Sequence, residues 1–188
     1  MPAYYTYFIS TLPMLIWGAR PPFSFEKFLN LCQGFIPEAG IELLKKCSVT
    51  GEYVHPAPAR RGGVHPVAQN STLKKWHVFD TALRNELVRI RASHKHIDPQ
   101  PYIRQQGHYR DSYLTHSAMN AHRNPSTLEA EKALDQERWN FLDELSRGHY
   151  FDIDFLIVYV HKLLLLERWE RIVTADKSRL TEQLLQSI

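Results

Sequence analysis

The chain has 188 residues, 44% of them apolar and 23% charged, with a formal net charge of +3. That balance excludes a disordered or fibrous polypeptide, and a chain of this length can bury roughly 70% of its unfolded surface without a disulfide or metal staple. Two cysteines, Cys32 and Cys47, are too few for a disulfide framework or a four-thiolate zinc site, and they fit small buried side chains in a reducing compartment.

The apolar stretch at residues 4–19 contains Pro13 and has no basic residue before it. It therefore reads as neither a signal peptide nor a membrane span, which needs about 20 apolar residues. A soluble, cytoplasmic protein is expected, with room for docking on a membrane complex. Within the stretch, residues 4–9 are aromatic and β-branched enough to predict a short extended segment. Ser24 then precedes Phe25, Phe28, Leu29 and Cys32, the pattern of a short capped amphipathic helix. Gly34 and Pro37 punctuate it, and Ile41, Leu43 and Leu44 predict a second short helix ending near Cys47. Residues 51–70 carry three prolines, adjacent glycines and no apolar period, which predicts a flexible loop.

Ser71 is the expected cap of a long helix whose apolar stripe runs through Trp76, Phe79, Leu83, Leu87 and Ile90 in steps of three and four. Pro99 and Pro101 end it, and residues 102–122 form a weaker, polar, helix-compatible stretch. Ser126 and Glu129 have capping-box spacing just after Pro125 and open a helix with Leu134, Phe141, Leu142 and Leu145 on its apolar face. Gly148 closes that helix. Residues 151–166 are apolar nearly all round and predict a buried central helix, with Asp152 and Asp154 serving its N-terminus. A last amphipathic helix is expected after Asp176, on Leu180, Leu184, Leu185 and Ile188. The predicted fold is one all-α domain over residues 1–188, a bundle of about six to eight helices.

Charge is unevenly placed. Residues 60–110 hold ten basic side chains against three acidic ones, whereas residues 111–188 hold nine basic against thirteen acidic. The two regions can neutralise each other within the fold, or the basic one can face an acidic partner. Lys74, Lys75, Arg84, Arg89 and Arg91, with Arg60 and Arg61 in the loop, are the expected electropositive contact residues.

Catalytic patterns are weak. His94, His96, His108, His116 and His122 do not have the i, i+4 or HExxH spacing of a helical metal site, so surface or partner-contact histidines are expected and no metal. No nucleophile elbow, P-loop or dinucleotide fingerprint occurs, and no enzyme activity or cofactor is expected. The acidic residues Glu129, Glu131, Asp135, Glu137, Asp143 and Glu144 along one helix read as a solvated face with Arg138 and Arg147 nearby. Asp154, His161 and Glu167 on the apolar helix need hydrogen-bond partners across a helix interface.

Two segments resemble a known group of proteins. The run ERWNFLDELSRGHYFDIDFLIVYVHKLLLLERW at residues 137–169, with YYTYFISTLPML at residues 4–15, resembles a bacterial family of unknown function encoded among the subunits of V-type ATPases. The stretch YVHKLLLLERWERI at residues 159–172 is also similar to the late helix of another V-type ATPase component. That component is the funnel-like, all-helical adaptor between the rotor shaft and the membrane ring. The resemblance implies a non-catalytic accessory or central-stalk-like subunit at the inner membrane. It makes other ATPase subunits the partners and Tyr159, Lys162, Glu167, Arg168 and Trp169 structural or interface residues. The alternative is a helical protein that binds nucleic acid through residues 60–110, with salt-dependent phosphate contacts; the absence of helix-turn-helix and zinc-finger spacing weighs against it.

Overall fold

The computed structural model describes residues 5–47, 70–104 and 112–175. They form α1 (Tyr5–Thr11), α2 (Phe25–Cys32), α3 (Glu38–Lys45), α4 (Ser71–Lys95), α5 (Ser112–Arg123), α6 (Thr127–Leu145) and α7 (Ile153–Thr174), with one 3₁₀ turn at Gln100–Tyr102. No strand occurs among the described residues, so the all-α class holds. The loop at 51–69, with Arg60 and Arg61, as well as His108 and the expected helix after Asp176 lie outside them.

The extended segment expected near the N-terminus is instead α1. Tyr5, Phe8, Ile9 and Leu12 recur at helical spacing, and the first core takes them all, while Thr6, Tyr7 and Ser10 face water. Packing thus overrides the strand preference of aromatic and β-branched residues, which is mainly a measure of fit to a half-buried surface. Pro13 stops the helix, because the residue before a proline is pushed out of the α region.

Helix starts follow the sequence closely. Ser24 caps α2 by accepting from the Lys27 amide, and Ser126 caps α6 by accepting from the Glu129 amide at 3.3 Å. The reciprocal half of the expected capping box is absent, because the Ser126 amide donates to Asn124 Oδ1 at 2.9 Å. The cap of α4 is Asn70 and not Ser71: Asn70 Oδ1 accepts from the Leu73 amide at 2.8 Å. Its Nδ2 donates to Asp154 Oδ1 at 3.0 Å, which ties the start of α4 to the start of α7. Asp152 caps α7 by accepting from the Phe155 amide.

Two apolar clusters share α7. The first packs α1, α2 and α3 around Phe8, Phe28, Ile36 and Leu44, with Ile157, Val160 and Leu163 from α7. The second packs Trp76, Phe79 and Leu83 of α4 with Leu114, Ala118 and Leu142, and with Val158, Leu165 and Leu166 of α7. Phe79 and Phe141 stack at 3.8 Å between ring centroids. Each fully buried large side chain contributes roughly 1.5–3 kcal/mol, so a helix buried on every side is the natural spine of the fold. No helix among the described residues is long and apolar enough to cross a membrane.

Candidate functional site

Where α4, α6 and α7 meet, charged side chains enter the protein interior. Asp80, Asp135 and Arg138 are 2%, 0% and 4% exposed. Arg138 Nε donates to Asp80 Oδ1 at 2.8 Å, and its Nη1 donates to Asp135 Oδ1 at 2.7 Å. Arg84 Nε donates to the second Asp80 oxygen at 2.7 Å. From α7, Arg168 reaches Asp135 Oδ2 at 3.0 Å and Glu131 at 3.1 Å, while the Trp169 indole donates to the same Asp135 oxygen at 3.0 Å. Burial alone would raise the Asp80 carboxyl, but the Arg138 and Arg84 guanidiniums outweigh it and hold it below its ordinary value. Burial works against the Arg138 charge in the same way, and Asp80 and Asp135 reverse its effect.

This joint corrects the reading of the acidic residues of α6 as a uniformly solvated face. Asp135 is the most enclosed carboxylate of the group and the acceptor for two helices at once. A buried charge persists where it is paired and fully hydrogen-bonded, and here three carboxylates face three guanidiniums. The sequence holds a signal for it: Asp80 follows Trp76 by four residues and precedes Leu83 by three, so it lies in register with the apolar stripe.

Beside the joint opens a cleft of about 790 Å³ lined by Arg84, Arg91, Arg104, Arg138, Arg168 and Arg171. Leu87, Val88, Leu134 and Leu164 form its apolar wall, and Glu131 is its single acidic lining residue. Asn85, itself buried, holds the backbone of Arg104 from both sides: its Nδ2 donates to the Arg104 carbonyl at 2.9 Å, and its Oδ1 accepts from the Arg104 amide at 3.0 Å.

The five cations of α4 expected to share one face divide between two. Arg84 and Arg91, two turns apart, line the cleft. Lys74, Lys75 and Arg89 lie on the opposite side of the helix, where Arg89 pairs with Glu86. The α7 residues singled out by resemblance bond to other elements of the same chain. Tyr159 donates to the Pro13 carbonyl at 3.0 Å, and Glu167 accepts from the Phe25 amide at 2.9 Å. Lys162 pairs with Asp143 and sits 4.9 Å from the centre of the Trp139 ring. Of the three polar residues expected to bond across helix interfaces, Asp154 and Glu167 do so; His161 donates from Nδ1 to the Ile157 carbonyl of its own helix at 2.8 Å.

The histidines of residues 94–122 do not assemble a metal site among the described residues. His94 and His122 meet edge to face at 5.4 Å, and His116 bonds Asn120. His149, Asp152 and Asp154 do come together, but Asp152 is engaged with His149 at 2.7 Å and with the Phe155 amide, and Asp154 with Asn70. These contacts make the cluster the N-terminal fastening of α7. Both cysteines are buried, and burial pushes the Cys32 thiol up to about 12 and raises Cys47 as well, which keeps both as unreactive thiols.

A family model described as a protein of unknown function (DUF2764) matches residues 112–188. The matched part holds α5, α6 and α7, with Asp135, Arg138, Arg168 and Trp169 among its residues. Its description names no activity and no V-type ATPase. No curated protein and no solved structure matches the chain.

Proposed function

We propose that the chain is a non-catalytic helical adaptor that works by protein–protein contact in a bacterial V-type ATPase, at the cytoplasmic side of the membrane. The observation that carries this reading is the ionic joint, which fixes α4, α6 and α7 as one rigid body. It leaves Lys74 and Lys75 exposed on the outer side of α4, with no carboxylate partner among the described residues. An adaptor needs that combination of stiffness and outward charge, since charges at an interface rim set partner choice and association rate. The two segments that resemble the ATPase-associated family also pack on one another: Tyr159 of α7 holds Pro13, and Phe8 and Ile9 lie in one cluster with Ile157 and Val160. The nucleic-acid reading has less support, because cations divided between two sides of α4 make no continuous stripe for a phosphate backbone.

The test uses the chain tagged at its N-terminus and recovered from gently solubilised native membranes. The head and rotor-shaft subunits of the V-type ATPase are expected with the wild type in fixed ratio. The double variant Lys74→Glu/Lys75→Glu is expected to recover at least ten-fold less, with a melting temperature within about 2 °C of the wild type, because exposed substitutions rarely change stability by more than ~0.5 kcal/mol. Recovery of no ATPase subunit by the wild type overturns the reading.

A further inference from the structure

We infer that the arginine cleft between α4, α6 and α7 is a binding site for a small organic di- or triphosphate. The inference does not depend on the adaptor reading, which rests on the opposite side of α4.

The charge count leads to it. Six guanidiniums line the cleft, and those of Arg84, Arg138 and Arg168 are neutralised by Asp80, Asp135 and Glu131. Arg91, Arg104 and Arg171 have no carboxylate partner among the described residues, so about three positive charges converge on one concave surface. Like charges gathered this way are unfavourable unless an anion joins them. Guanidinium is the cation suited to bidentate phosphate recognition, and a di- or triphosphate carries the charge needed to balance three of them.

The site is also built in advance. Arg104 is set in place by the two-sided clamp of buried Asn85, and Arg171 Nε donates to the Glu167 carbonyl of its own helix at 3.4 Å. Arg91 stands on α4, which the buried Asp80–Arg138 pair locks to α6. Donors held before the ligand arrives lose less freedom on binding. The volume of about 790 Å³ lies within the range of roughly 300–1,000 Å³ typical of small-molecule sites. The wall of Leu87, Val88, Leu134 and Leu164 gives the organic part of the ligand apolar contact, and Tyr102 at the edge offers a ring for a planar group.

Titration calorimetry at fixed ionic strength on the full chain tests the assignment, with tripolyphosphate, ATP and a short poly-glutamate peptide as probes. Saturable binding of tripolyphosphate is expected, with ATP tighter because its organic part meets the apolar wall. Arg104→Gln/Arg171→Gln is expected to weaken both by at least ten-fold, Arg91→Gln alone by a smaller factor, and Lys74→Gln/Lys75→Gln not at all. Far-ultraviolet circular dichroism of each variant checks that it is folded, and Arg91→Gln decides the matter if the double variant is not. Absence of saturable phosphate binding overturns the inference, as does equal affinity in wild type and arginine variants. Binding of poly-glutamate with tripolyphosphate silent also overturns it and makes the cleft a seat for an acidic peptide.

Discussion

Replacing Asp135 with alanine is expected to destabilise the protein by about 3–5 kcal/mol, the cost of removing one partner from a buried ion pair. Asp135 accepts from Arg138, Arg168 and the Trp169 indole, and it is fully enclosed. Without it Arg138, also buried, must share Asp80 with Arg84, so a guanidinium charge is left uncompensated in the interior. For a chain of this size each kcal/mol moves the melting temperature by about 2–4 °C, which predicts a fall of about 10 °C or more. Glu131→Ala is the control. Its carboxylate is 43% exposed and meets Arg168 at the edge of the joint, so the change is expected to cost less than about 1 kcal/mol. Thermal and urea unfolding of both variants measure the difference. Equal losses in the two would mean that the buried joint does not lock the three helices.

Acid is expected to weaken the fold through His161. This side chain is completely buried against Trp76, with ring centroids 4.8 Å apart, and its Nδ1 donates to the Ile157 carbonyl at 2.8 Å. Its Nε2 finds no hydrogen-bond partner, so a second proton there would place an unsatisfied cation in the core. Burial brings its pKa down to about 4, with the Ile157 carbonyl opposing and nearby His77 adding to the fall. In the unfolded chain the same group titrates near its ordinary value of about 6.5. Below that pH the unfolded state binds a proton that the folded state refuses, so stability declines as pH drops from about 6.5 to about 4 and levels off below for this group. The accumulated loss is about 3 kcal/mol. Urea unfolding from pH 7 to pH 4, for wild type and His161→Leu, isolates the contribution, because other acid-sensitive groups cancel in the difference. A flat difference curve would show that His161 has a proton acceptor in the folded state.

The parts of the fold legible in the sequence are those set by local chemistry. Ser24, Ser126 and Asp152 each mark a helix start that forms, since a side-chain oxygen next to orphan amides acts without reference to distant residues. The apolar stripe of α4 and the all-apolar face of α7 are legible for the same reason. Assembly decides the rest. The N-terminal aromatics look like a strand by composition, but Phe8 stacks on Phe35 at 5.5 Å and packs on Phe28, contacts available only once α1 meets α2 and the turn after it. The cations of α4 look like one patch until helix geometry sends Arg84 and Arg91 into the cleft. The joint itself draws Asp80, Asp135 and Arg168 from three helices up to 88 residues apart, a pairing for which charge totals give no clue.

Cross-linking mass spectrometry on a V-type ATPase purified from native membranes through one of its own subunits tests the adaptor role most directly. This chain is expected in the purified complex, with Lys74 and Lys75 cross-linked to an acidic segment of a neighbouring subunit. An intact, active ATPase recovered without this chain would contradict that role.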